Sequence, residues 1–124
     1  MTEPAAVALH ALRRGKCGPG QTVVVFGAGP IGLMVGIWAQ IMGAYQVLLF
    51  DVVEEKLALA KRLGLVFSFN SRDVEPSQVI EDLTDGQGAH VCVEAAGVPQ
   101  TFTQALQATQ QGGYTVILGN PVAD

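Results

Sequence analysis

Six residues carry the clearest chemistry in this chain: Gly27-Ala28-Gly29-Pro30-Ile31-Gly32. They follow an apolar run, Thr22–Phe26, and open a stretch of helical composition. A glycine-rich turn between a strand and a helix can hold a pyrophosphate without any basic side chain, because the helix N-terminus supplies free N–H groups and positive dipole charge. Each glycine answers a different steric demand. Gly27 permits the tight turn, Gly29 the close approach of the phosphates, and Gly32 the packing of the helix on the strand. Pro30 suits the first helical turn, with Ile31 beside it. A second apolar run ends in Asp51, nineteen positions past Gly32, where a carboxylate can accept hydrogen bonds from both hydroxyls of an adenosine ribose. The alternative for Asp51 is an N-cap of the helix starting near Val53. Lys56 reaches the ribose rim or is a solvated helix lysine. With Val52 and Val53 following the acid, Lys56 is the only cation near it in sequence, and the pattern favours NAD over NADP.

Proline and glycine punctuate the elements that must place these residues. Pro4, Pro30, Pro76 and Pro99 open helical stretches, and Gly15, Gly43, Gly64 and Gly112 close them, as expected for first-turn prolines and left-handed C-terminal glycines. Helices are predicted over 4–14, 30–42, 53–63, 76–84 and 99–110. Strands are predicted over Thr22–Phe26, Gln46–Phe50, Leu65–Phe69, His90–Glu94 and Tyr114–Leu118. Such alternation implies crossover connections and a parallel sheet. The fold class is therefore α/β, a Rossmann-type doubly wound parallel sheet with helices on both faces and five of its six strands present. Residues 1–124 form one domain.

Composition narrows the function. The chain has 124 residues, 49% hydrophobic and 15% charged, with formal net charge −4. It has no basic tract to attract nucleic acid or an anionic membrane. The uncharged run from Cys17 to Phe50 is split by Gly27-Ala28-Gly29-Pro30, then by Gln40 and Gly43, so it reads as strand, helix and strand rather than a membrane span. Glu3 and Pro4 stand where a signal peptide would be basic and apolar. Two cysteines, Cys17 and Cys92, build no disulfide framework and suit a cytoplasmic location. Neither they nor His10 and His90 have zinc-ligand spacing, so all four are expected to pack rather than ligate, and no metal site is assigned. Glu94 reads as a strand-end carboxylate facing solvent, without chemistry.

The motifs resemble, in order, those of the zinc-dependent medium-chain dehydrogenases. They are Glu3-Pro4 with Val7-Ala8-Leu9-His10-Ala11 and Arg13-Arg14-Gly15; Pro19-Gly20-Gln21-Thr22-Val23; the glycine loop through Leu33; Asp51 with Lys56; Glu94-Ala95-Ala96-Gly97; and Gly112-Gly113-Tyr114-Thr115-Val116 ending at Gly119. The first fifteen residues look most like the sorbitol, xylitol and galactitol-phosphate branch. The resemblance implies an NAD-binding domain of an enzyme that moves hydride from a secondary alcohol to NAD. It places Ala95, Ala96, Gly97 and Val98 along the adenosine and nicotinamide-ribose side of the cleft, and Leu118 and Gly119 beside the nicotinamide carboxamide. Both segments end parallel strands, where open α/β sheets bind ligands. Zinc in such enzymes polarises the alcohol, but its ligands include a cysteine and a His-Glu pair from another domain, and no His-Glu dipeptide occurs here. Glu3 resembles a glutamate near that zinc. The chain is thus expected to be a fragment: the cofactor-binding half, with no catalytic residue and no zinc of its own. Its Tyr114–Leu118 strand would form an open edge suited to homo-oligomerisation. Other readings of the same residues are a stand-alone NAD(H)-binding or redox-sensing module, a zinc-free quinone-reductase relative, and a methyltransferase.

Overall fold

Each of the four prolines that open a helical stretch occupies the first turn of a helix. The computed structural model describes residues 3–118. In chain order it contains α1 (Pro4–Arg14), β1 (Thr22–Phe26), α2 (Pro30–Ile41), β2 (Gln46–Asp51), α3 (Glu54–Arg62), β3 (Ser68–Asn70), α4 (Pro76–Leu83), β4 (Ala89–Glu94), α5 (Pro99–Ala108) and β5 (Thr109–Ile117). The strands lie in the order β3-β2-β1-β4-β5, and every neighbouring pair is parallel. This is the doubly wound Rossmann arrangement.

Alternation along the strands builds two cores. Val23, Val25, Val47, Leu49, Val91 and Val93 face one way and pack with Ala8 and Leu12 of α1, Val35 and Ala39 of α2, and Ala60 of α3. Val24, Phe26, Leu48, Phe50 and Cys92 face the other way, against Ile80 of α4 and Ala105 of α5. All five residues of β1 are buried, as expected of a central strand covered by helices on both faces.

The ends of several elements depart from the sequence reading. Gly15 caps α1 at φ −82°, and Lys16 takes the left-handed conformation at φ +57°. Gly15 is small for another reason: a Cβ there would lie 2.7 Å from Val91 Cγ1. Leu65 does not start β3. It is a buried plug beneath α2, where a Cβ on Gly36 would meet its Cδ1 at 2.9 Å. Val66 and Phe67 are exposed, and only Ser68–Asn70 pair with β2. Gly112 does not stop α5 either. The helix ends at Ala108, and Gly112 lies inside β5, which pairs Ala89 with Thr109 but Val91 with Tyr114. The extra residues form an irregularity in which a positive φ replaces regular pairing.

Helix α2 crosses the exit of β1 so closely that a Cβ on Gly32 would sit 1.8 Å from the Gly27 carbonyl oxygen, a backbone atom that cannot rotate away. Gly32→Ala is expected to lower unfolding free energy by about 3 kcal/mol or more. An unchanged urea midpoint would disprove that close packing.

Candidate functional site

The loops leave the C-terminal ends of the strands at one level because hydrogen bonds carry the sheet one step further. Gly27 N donates to Phe50 O (2.8 Å), Ala95 N to Phe26 O (2.7 Å), Ser71 N to Asp51 O (3.0 Å) and Leu118 N to Glu94 O (2.7 Å). Beneath this rim Phe26, Phe50 and Phe69 stack, with ring centroids 5.4 and 5.5 Å apart.

On the rim, the glycine turn has the shape its sequence requires. Gly27 has φ +111°, and a Cβ on it would lie 2.8 Å from both Ala95 C and Ala96 N; any side chain there is both strained and obstructed. Gly29 differs: a Cβ on it would meet nothing within 4 Å. It is the N-cap of α2 without a side-chain hydrogen bond to the first turn, so first-turn N–H groups at Ile31 and Gly32 have no partner within the helix. The turn therefore offers a concave surface, donors, and helix-dipole charge.

Asp51 is more occupied than its sequence position suggests. Its Oδ2 accepts from Ala28 N at 2.6 Å, and its Oδ1 accepts from Val52 N at 2.6 Å and Val53 N at 2.9 Å. It does not cap α3, whose N-cap is Val53. The carboxylate ties the glycine turn to the end of β2 and shapes the approach to α3. Of roughly four acceptor positions on a carboxylate, three are filled and one remains on Oδ2.

A cleft of about 610 Å³ opens above these groups, and its walls include Gly27, Gly29, Asp51, Lys56, Ala95, Ala96 and Val98. Pro30, Ile31 and Gly32 lie in the first turn of α2 beside it, Gly97 supports the 95–98 loop, and Leu118 packs partly into the core. None of these five is in the cleft wall. Gly119 lies outside the described residues. Also in the wall are Val52 and Pro76, together with Ser71, Arg72, Gln100, Thr101 and Gln104, which no sequence motif singled out. Arg72 qualifies the charge reading, because Lys56 is not the sole cation at the rim. A smaller cavity of about 230 Å³ between α4 and α5 shares Phe26, Glu75, Pro76 and Gln104 with the main cleft.

Glu94 does not face solvent. It is 1% exposed, and its Oε2 accepts from Ala96 N (2.9 Å), Gly97 N (2.7 Å) and Thr101 Oγ1 (2.6 Å). A buried carboxylate needs such partners. The signal for it lay in a strand-end acid followed by a flexible Gly97 and a first-turn Thr101.

Among the described residues, no three His, Cys, Asp or Glu side chains gather to hold a metal ion, and no helix is long and apolar enough to cross a membrane. Glu3 caps α1 through Ala5 N at 2.5 Å. His90 Nδ1 accepts from Thr22 N at 3.0 Å, and His10 is exposed on α1. Cys92 lies in the core beneath α5 and Cys17 is half-buried. Zinc does not fit these residues.

A family model described as a zinc-binding dehydrogenase matches residues 30–124. The chain is 34% identical over 121 residues to a sorbitol dehydrogenase of Bacillus subtilis, covering 98% of this chain and 34% of that protein. An L-idonate 5-dehydrogenase of Vitis vinifera is 36% identical over 123 residues, covering 96% of this chain and 34% of that protein. Among solved structures, an alcohol dehydrogenase from Thermus sp. ATN1 superposes with TM-score 0.91 at 32% identity, covering 98% of this chain and 35% of that one. The chain thus spans about a third of the length of the relatives it matches.

Burial pushes both thiols above the usual cysteine range, Cys92 the further; a hydrogen bond with Thr109 offsets part of that rise and the Glu94 charge adds a smaller one. The reactive thiolate is therefore scarce at each. A disulfide thiol reagent is expected to modify Cys17 slowly in the native protein and Cys92 only on unfolding in urea. Rapid modification of two thiols without denaturant would contradict this placement.

Proposed function

The chain belongs to the zinc-binding dehydrogenase family, and from that premise we propose that it is the cofactor-binding portion of an NAD-dependent alcohol or polyol dehydrogenase. The observation that carries the reading is the empty space at Gly29, where nothing stands within 4 Å of a would-be Cβ. Gly27 and Gly32 are small because protein atoms crowd them; Gly29 is small with no protein neighbour to require it. A ligand backbone brought close to the main chain accounts for that difference, and a pyrophosphate matches the N–H groups and dipole of α2.

From the pyrophosphate, the adenosine half extends along the cleft past Asp51. One ribose hydroxyl can donate to the acceptor position left on Asp51 Oδ2, and the second must share Oδ1 with Val52 and Val53 N–H. Val52, Val98 and Pro76 offer apolar cleft surface to the base, while Ala95, Ala96 and Val98 continue toward the nicotinamide end. When bound, the nicotinamide ring supplies the hydride acceptor. The chain's own residues bind and orient it. The zinc named in the family's description does not fit the described residues, so no step is assigned to it.

The relatives named for polyols point to a polyol or secondary alcohol as substrate of the whole enzyme. Among the described residues β5 stands at one edge of the sheet, with Tyr114 and Ile117 each 40% exposed, which supports pairing of this edge with a second copy.

Titration calorimetry with NADH and NADPH tests the cofactor choice. A charge-assisted hydrogen bond from the ribose to Asp51 contributes about 1.5–3 kcal/mol, and a 2′-phosphate would replace it with like-charge repulsion. NADH is expected to bind at least tenfold more tightly, a difference of about 1.4 kcal/mol, despite Lys56 and Arg72 on the rim. Asp51→Ser should narrow the ratio. Gly29→Ala should abolish binding of both while shifting stability by no more than about 1 kcal/mol, since its φ of −75° suits alanine. Equal affinities in the unmodified chain, or full NADH binding by Gly29→Ala, would overturn the assignment.

A further inference from the structure

Glu94 stands outside the cleft wall and is almost wholly buried, yet the 95–98 loop of the cleft and the exit of β5 both hang from it. Its carboxylate holds the loop after β4 through Ala96 N, Gly97 N and the Thr101 hydroxyl. Its carbonyl holds the exit of β5 through Leu118 N at 2.7 Å. We infer that Glu94 is a positioning residue for the dinucleotide, acting through the 95–98 loop and Leu118 rather than by contact. The inference rests on the dinucleotide reading above and extends it to a residue that need not meet the ligand.

Three features make the loop depend on this carboxylate. Ala95 is pinned by its N–H to Phe26 O at 2.7 Å, but Ala96 and Gly97 have no acceptor other than Glu94 within the described residues. Gly97 has φ +77°, a conformation that glycine enters and leaves easily, so the loop's shape must be imposed from outside. The loop is also the surface against which the glycine turn closes, because a Cβ on Gly27 would touch Ala95 C and Ala96 N at 2.8 Å. A shift at Ala96 therefore reaches the phosphate turn directly.

The Thr101 hydroxyl shows how the Glu94 carboxyl group sets this arrangement. It lies 2.6 Å from Glu94 Oε2 and 2.9 Å from Val98 O, and it has a single proton. Both partners are acceptors toward it, and the shorter contact is the one to Glu94. Thr101, in the first turn of α5, then fastens the start of that helix to the end of β4. The loop is closed at both ends by one oxygen atom.

Without the carboxylate, the loop must be ordered by the ligand itself, and affinity falls by the cost of that ordering. The test combines NADH calorimetry, urea unfolding and residue-resolved amide exchange by NMR on the unmodified chain, Glu94→Gln, Thr101→Val and Thr101→Ser. Glu94→Gln keeps the size of the side chain but substitutes a neutral acceptor. Thr101→Val keeps a half-buried shape and removes only the hydroxyl, so it remains informative even where Glu94→Gln does not fold. The expected result is NADH binding weakened about tenfold in Glu94→Gln and in Thr101→Val, with faster exchange at Ala96 and Gly97. For Thr101→Val the urea midpoint should fall while the chain stays folded without urea, because the buried carboxylate loses one partner, and Thr101→Ser should restore affinity, protection and midpoint. Unmodified NADH affinity in both Glu94→Gln and Thr101→Val, set against a binding unmodified chain, would overturn the positioning role alone. No NADH binding by the unmodified chain would overturn the dinucleotide reading and this inference with it.

Discussion

Helix α2 meets the exit of β1 with no room for a side chain between them, and the other features of the rim follow from that contact. With 1.8 Å from a would-be Gly32 Cβ to Gly27 O, the helix axis is brought onto the strand end, and the first turn of α2 is held above the sheet. The close approach orients unpaired N–H groups toward one point. It also forces the chain into the positive-φ turn at Gly27, which in turn presses against Ala95 and Ala96. Packing, turn geometry and anion binding are here one constraint expressed at three levels.

The rim's electrostatics are economical. The run from Cys17 to Phe50 carries no charge, so attraction for phosphate falls to backbone dipoles rather than side chains. The two carboxylates nearest the turn are both occupied by backbone N–H groups, Asp51 by Ala28, Val52 and Val53, Glu94 by Ala96 and Gly97. Each acid thus fixes a loop. Asp51 keeps one acceptor position for a ligand, whereas Glu94 is sealed from solvent. In the proposed function the same kind of acidic group at the ends of two strands serves recognition in one case and shape in the other, and burial makes the difference.

The local features were legible in the sequence, and the tertiary ones were not. The strand Thr22–Phe26, the turn and α2 follow from apolar runs, a first-turn proline and glycine spacing, all set by sterics within a few residues. The parallel pairing follows from alternation of strands and helices. Leu65 misled because an apolar residue at a loop's start looks like a strand residue, and only the gap left by Gly36 makes it a plug. Gly112 misled because a positive φ inside an irregular strand has the same sequence signature as a helix stop. The burial of Glu94 depends on where α5 starts relative to β4, and Arg72 enters the cleft only because β3 is short and ends beside β2. No local pattern encodes those distances.

The central claim is that the glycine turn, the end of β2 and the 95–98 loop together form one site for a pyrophosphate-linked nucleotide. Chemical-shift mapping of the backbone amides during titration with ADP-ribose tests it most directly, since that ligand lacks the nicotinamide and reports only the contacts described. The account predicts saturable shifts centred on Ala28–Gly32, Val52–Val53 and Ala95–Val98. Shifts confined to the cavity between α4 and α5, around Gly86–Gly88 and Gln107, or no shifts at all, would contradict it.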